Sequence, residues 1–355
     1  MSRAFGIIAA AGIRGSLVAV CLVASASAVF ASDGLIEINQ ATALAGGVNG
    51  DLVADPAGFP VTITRSGSYR LTSNLAVFPV TADGIDIAAG VDDVTIDLGG
   101  FTIRGLSGVN VNPPLWQCTG GGDGTTGHGI LGPGNSIAVR NGRIRSMGGD
   151  GSALLGSQAS VERVVLEQNC GRGILAAGVG ARVDANQVRA SRFAGISTGI
   201  GSVVTGNTLS LNAAAGIESL DASVVSSNVA YANGGAGLSL KTGSVASGNI
   251  AYDNGSSGID MKHGGLISGN SVYANRGPGI SAGSGSTVSS NAVYGNTGYG
   301  VSADQSLVHG NTIRANDGTG LFMHFGAYRE NDLEDDGVSG GFNLGANFCD
   351  PGLCP

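Results

Sequence analysis

The chain has 355 residues, 63 of them Gly, with 12% charged and 5% aromatic side chains but a hydrophobic content of 42%. That hydrophobic share excludes a disordered linker, and 26 Asp and Glu against 18 Lys and Arg, with no basic cluster, exclude nucleic acid as a partner. Small, β-branched and Gly residues in these proportions suit thin repeated layers better than one globular core.

Arg3 and Arg14 bracket the start of the chain, the apolar run SLVAVCLVASASA follows, and small residues stand at Ala26 to Ala28 and again at Ala31. Residues 1–31 therefore read as a signal peptide, too short in its apolar run for a comfortable membrane span. The mature chain is expected to be secreted or periplasmic, with no membrane insertion. Four cysteines remain, Cys118, Cys170, Cys349 and Cys354, and an even number in an oxidising compartment suggests two disulfides. Three pairings are open; the most local one joins Cys349 to Cys354 and leaves Cys118 with Cys170. Residues 32–60 read as an N-terminal cap, in which INQATALAGG forms a short helix ending at Gly46-Gly47.

From residue 61 onward the chain repeats itself. Gly followed by an apolar residue recurs at Gly173, Gly195, Gly216, Gly237, Gly258, Gly279, Gly300 and Gly320, in steps of 20 to 22 residues, with earlier copies at Gly84 and Gly129 and an imperfect one at Gly151. Nine residues before these glycines stand Asn186, Asn207, Asn228, Asn249, Asn270, Asn291 and Asn311; four before them stand Asn169, Asn212, Asn233, Asn254, Asn275, Asn296 and Asn316, with Ser191 substituting once. Each repeat holds three short runs of period-2 character, such as GIST, SVVT and TLSL, and no helical period. Three strands per repeat make a triangular coil, and stacked coils pair each strand in parallel at about 4.8 Å. Ile and Val then point inward. Asn and Gly are expected at the corners, where Gly reaches positive φ and Asn tolerates the left-handed region, and the Asn side chains form ladders. Ser107 to Gly127, with Pro113-Pro114, lacks sustained alternation and reads as a loop over the side of the coil, residues 107–127. Residues 326–355 break the repeat and read as a C-terminal capping tail.

The pattern N-x-[VILA]-x-x-N-x-x-x-G-[IVL], together with the opening FPVTITRSGSYRLTSNLAV and DGIDIAAGVDDVTIDLGGFTIRG, resembles the right-handed parallel β-helix family that includes pectate lyases and polygalacturonases. The resemblance covers roughly residues 60–325 and implies an all-β, single-stranded right-handed parallel β-helix of about 11 coils over residues 61–325. It is specific for the fold and unspecific for activity.

Equal offsets in a stacked coil become vertical columns. The position before the Gly reads Asp83, His128, Asp150 and Arg172 before it turns to Ala194, Ala215 and Ala236. Polygalacturonase-like enzymes carry a GHG histidine beside catalytic acids, so Gly127-His128-Gly129 with Asp83 and Asp150 marks a candidate catalytic set, although the NTD and paired-Asp motifs are missing and RIR at Arg143 to Arg145 comes too early. Asp and His are also ordinary turn residues before Gly. A second column gathers Glu218, Lys241, Asp260, Lys262, Asp304 and His324, with His263 beside it, as a groove for an anionic polysaccharide or as a self-compensating charge set. Lys241 and Lys262 are the only lysines and fall on adjacent coils. A third column stacks Tyr231, Tyr252, Tyr273 and Tyr294, with Arg314 available to the last ring; these rings serve as strand stabilisers or as a sugar platform, as does Trp116 on the inserted loop.

Three functions are compatible with this reading. The first is a secreted protein that binds carbohydrate, a polysaccharide, on its outer strand faces. The second is a polysaccharide lyase or glycoside hydrolase acting on a uronate polymer. The third is a structural or adhesive envelope protein without catalysis. No cofactor and no metal follow from the sequence, and no clear cluster of Ca²⁺-binding carboxylates is present. The oligomeric state is open.

Overall fold

A computed structural model describes residues 34–48, 50, 54–111, 116–334 and 337–349, and the backbone of 352–353. The expected signal peptide and Cys354 lie outside the described residues. Each regular rung holds three strands, for example Ile196–Thr198, Val203–Thr205 and Thr208–Ser210. The chain is too rich in β-branched residues and turn residues, at too short a spacing, to do otherwise. On the first face the outer two residues of each triplet point inward; on the second and third faces the middle residue does. Every strand pairs in parallel with its copy one repeat later, so that Ile196 meets Ile217, Val204 meets Val225 and Leu209 meets Ala230. The core is thus a set of apolar columns, buried along the whole tube. The first face alone is a sheet of 13 strands, so the solenoid has about 13 turns, close to the 11 or so expected.

Strand pairing also runs past both ends of residues 61–325. Leu35–Ile38 pairs in parallel with Ser68–Leu71. At the other end the ladders do not stop at residue 325: Gly326–Arg329 stacks on Ser306–His309, and Val338–Ser339 pairs with the strand at Leu321. The short helix Gln40–Ala45 follows the first strand; Asn39 caps it by accepting from Ala41 N–H and Thr42 N–H, both at 3.0 Å, while Thr42 Oγ1 accepts from Asn39 N–H.

Two corner expectations need correction. Residues with left-handed φ stand immediately before the ladder asparagines, not at them: Ala185, Gly206, Ser227 and Gly248 precede the first ladder, Gln168, Leu211, Ala232 and Asp253 the second. The asparagine itself holds the bend, as when Asn207 Nδ2 donates to Thr205 O at 2.9 Å. Nor do the repeat glycines sit at positive φ. Gly195 is needed for space: a Cβ there would lie 2.7 Å from Asn212 Nδ2 and 2.7 Å from Gly216 O.

The first asparagine ladder is continuous from Asn186 through Asn311 and on to Asn331 and Asn347, each Nδ2 donating to the next Oδ1 at 2.9–3.1 Å. The second runs unbroken from Asn212 to Asn316. A serine column, Ser202, Ser223, Ser244, Ser286 and Ser306, lines the remaining corner; the hydroxyls of the last four accept amide N–H groups from the rung below. Its offset, six or seven residues after each repeat Gly, was readable in the sequence.

The inserted segment is a hairpin, Gly108–Asn110 paired antiparallel with Gln117–Thr119. A disulfide from Cys118 to Cys170 pins it to the body. Its return leg is held by Gly124 N–H to Gly148 O at 2.8 Å and Gly149 N–H to Gly127 O at 3.0 Å. Cys349 is also disulfide-bonded. Among the described residues no helix is long and apolar enough to cross a membrane.

Candidate functional site

The outside of the first face carries two shallow grooves that follow one another along the tube. One, of about 410 Å³, is lined by Asp260, Lys262, His263, Asp304, Phe322 and His324, with Ser281 and Ser302 on its floor. The other, of about 350 Å³, lies on the preceding rungs and brings Glu218 and Lys241 together with Ser197, Ser239, Leu175 and Leu220. The strand register explains the grouping: Ser239, Asp260, Ser281, Ser302 and Phe322 are successive outward residues on paired strands. Lys241 and Lys262 follow the paired residues Leu240 and Met261, so they occupy adjacent rungs.

The two lysines are treated differently. Lys262 Nζ reaches Asp260 Oδ2 on its own strand at 3.3 Å. Lys241 is exposed, and among the described residues it forms no ion pair, although Glu218 lines the same groove. At the far end His324 Nδ1 lies 3.6 Å from Asp304 Oδ1, and Asp304 Oδ2 accepts the Ser284 hydroxyl at 2.9 Å.

Asp83, His128, Asp150 and Arg172 occupy four consecutive rungs, as Gly84 N–H to His128 O (2.8 Å), Gly129 N–H to Asp150 O (2.9 Å) and Gly151 N–H to Arg172 O (2.9 Å) establish. Their side chains form a ladder of their own. Asp83 Oδ1 accepts His128 N–H at 2.6 Å, His128 Nδ1 accepts Asp150 N–H at 3.0 Å, and Asp150 Oδ1 accepts Arg172 N–H at 2.5 Å. Because Nδ1 is an acceptor, a neutral His128 carries its proton on Nε2. Burial pushes the carboxyls of Asp83 and Asp150 above the usual range, against the pull of the amide each accepts and of the His128 ring. Asp86, two residues beyond Gly84 on the outside of the first face, is raised too, first by burial and then by the charge of Asp83. Asp86 was missed in the sequence although it has the same offset from its Gly as Glu218 and Asp260. Arg172 extends from this column toward Phe193, its guanidinium carbon 5.9 Å from the ring centre.

The four tyrosines stack as expected, with centroids 4.9–5.1 Å apart and planes within 4° of parallel. Ring faces therefore lie against ring faces, and a sugar finds free faces only at the two ends of the row. Arg314 does not lie on Tyr294; its guanidinium is committed to Asp332 at 2.6 Å and Glu334 at 3.0 Å, whose charges hold it more firmly than a ring quadrupole. Trp116 sits half-buried at the base of the hairpin's second strand. Among the described residues no group of three or more His, Cys, Asp or Glu side chains could hold a metal ion.

The family model described as right handed beta helix region matches residues 128–266 and 243–348. No curated protein matches the chain. Among solved structures, the A-module of the mannuronan C-5 epimerase AlgE6 of Azotobacter vinelandii superposes with a TM-score of 0.58 at 16% identity, covering 87% of this chain and 90% of that one. The AlgE4 A-module of the same organism gives 0.55 at 14% identity, covering 80% of this chain and 91% of that one. A double mutant of the periplasmic alginate epimerase AlgG gives 0.52 at 14% identity, covering 90% of this chain and 81% of that one. At such identities the likeness is one of fold.

Proposed function

Because the chain belongs to the right-handed β-helix family, we propose that it binds a uronate-bearing polysaccharide along the outside of its first face. The observation that carries this reading is the pair of consecutive grooves from Leu175 to His324, with hydroxyls on the floor and Lys241, Lys262, His263 and His324 set among three carboxylates. A polymer laid along the tube meets one side-chain row every strand spacing, and Lys241 offers a cation that forms no ion pair among the described residues. Three superposable folds are named for enzymes of mannuronan or alginate, which supports the ligand class. The disulfide at Cys118–Cys170 supports a secreted or periplasmic setting. A glycan array spanning pectate, alginate and glycosaminoglycans tests the reading directly. Lys241→Ala combined with Lys262→Ala is expected to weaken uronate-polymer binding by on the order of tenfold or more. Unchanged affinity in the double variant would remove the groove from consideration.

A second reading places acid–base chemistry at Asp83, Asp86, His128 and Asp150. It is favoured by the raised carboxyls gathered around one imidazole beneath a pinned hairpin, since clustered perturbed groups are a mark of catalytic sites. New reducing ends or unsaturated products from the same glycans would establish it.

A further inference from the structure

The groove nearest the C-terminal end contains an unusual charge arrangement for a site meant to hold an acidic sugar. Its titratable lining consists of Asp260, Lys262, His263, Asp304 and His324. With both imidazoles neutral, two carboxylates and one ammonium leave one net negative charge; with both protonated, the groove carries one net positive charge. The sign of the site is thus set by two histidines, the side chains whose charge ordinarily changes between about pH 5 and 8.

Geometry gives the two rings different tasks. Asp304 Oδ1 is buried without a hydrogen-bond partner, and His324 Nδ1 stands just out of hydrogen-bond reach at 3.6 Å. A proton on that nitrogen turns an idle contact into an ion pair and cancels the carboxylate that would repel a sugar acid. Phe325 packs against the His324 ring at 4.5 Å and Phe322 lines the groove beside it. His263 follows Lys262 and faces Gly283 on the next rung, where a Cβ would come within 3.1 Å of His263 Nδ1. On the rung below, Gly243 N–H donates to His263 O at 2.8 Å, which sets Lys241 and Thr242 on the rung adjacent to Lys262 and His263, and Asp221 Oδ1 accepts Thr242 N–H at 2.9 Å. The rung above His324, Val338–Ser339, brings no titratable side chain among the described residues.

We propose that this groove is a proton-gated site for the carboxylate of an acidic sugar, closed by charge when His263 and His324 are neutral and opened when they are protonated. This rests on the carbohydrate-binding reading and adds its regulation. Both histidines are exposed, so replacing them leaves the core untouched. The test is calorimetric titration of the full chain with oligogalacturonate at pH 5.5 and 7.5, at constant ionic strength. The wild type is expected to bind about tenfold more tightly at the lower pH. His263→Gln with His324→Gln should flatten that dependence, so that the variant binds equally at pH 5.5 and 7.5. A methyl-esterified oligomer should bind without pH dependence. Equal wild-type affinity at both pH values overturns the gate and leaves the carbohydrate reading standing, as does a pH dependence that survives the double substitution or appears with the ester. No binding to any acidic glycan at either pH overturns both.

Discussion

The two halves of the tube solve the same packing problem with different completeness. From Asn212 to Asn316 both asparagine ladders are closed, the first continuing to Asn347, and the corner before each repeat Gly on the first rungs of this half is a plain Ala. In the first half that corner holds Asp83, His128, Asp150 and Arg172, the hairpin is inserted, and polar groups go unmatched. Among the described residues, of eight buried side-chain nitrogens and oxygens without a hydrogen-bond partner, seven lie between Ser107 and Ser191; the eighth is Asp304 Oδ1 in the groove. Natural proteins seldom leave such atoms orphaned without a reason. The regular half is a rod whose outer face is free to act as a binding surface. The irregular half accepts polar imperfections where its titratable cluster lies.

The largest effect is expected from opening a ladder in the regular half. Asn249 is fully buried; its Oδ1 accepts from Asn228 N–H and Nδ2, and its Nδ2 donates to Val225 O and Asn270 Oδ1. Asn249→Ala strands donors on one rung and acceptors on another, and should cost about 3–5 kcal/mol in urea unfolding. A loss below about 1 kcal/mol would mean that water enters the corner and the ladder matters less than its geometry suggests.

A smaller effect of opposite sign is expected where the irregular half falls short. Asn169 Oδ1 accepts Met147 N–H at 3.1 Å, but Asn169 Nδ2 has no partner, and neither has Ser191 Oγ on the next rung. The serine side chain is too short to supply the amide oxygen that every later rung offers. Ser191 N–H already donates to Asn212 Oδ1 at 3.0 Å, so the backbone there is in ladder geometry. Ser191→Asn should join Asn169 to the ladder and raise stability by about 1–2 kcal/mol in the same assay. A destabilised variant would show that the corner near Gly173 lacks room for the amide.

The fold was legible because it rests on local spacing. Gly195, Asn207 and Asn212 recur at fixed offsets, and those offsets are the register. The ends were less so: Gly326–Arg329 and Phe348 stack on the tube with Asn331 and Asn347 in the ladder, but rungs of 16 and 20 residues blur the period. The grooves were partly legible. The offsets that Asp260, Lys262 and His263 share put them along one groove, whereas the separation of Lys241 into its own groove depends on how side chains lean, which spacing does not encode. Asp86 became visible only when burial and the neighbouring charge of Asp83 were known.

The smallest expected change in stability falls on the corner column and separates its two possible roles. Burial raises the Asp150 carboxyl, so the folded state takes up a proton there before the unfolded chain does. At neutral pH the fold carries that buried charge at a cost. As pH falls through the raised value toward the ordinary 3.8, the folded state gains relative to the unfolded one, and below that the whole gain is present. Asp150→Asn removes the titration while its Oδ1 can still accept Arg172 N–H. The variant should therefore match or exceed the wild type at pH 7, by no more than about 1 kcal/mol, with the advantage fading as the pH is lowered. If Asp150 only caps the next rung, glycan turnover and binding will be untouched by this change. If it takes part in proton transfer, a more stable protein will have lost its chemistry, because an amide can hold the corner but cannot exchange a proton. A variant less stable than the wild type at pH 7 would instead mean that the ionised carboxylate holds the Arg172 rung more strongly than its burial opposes.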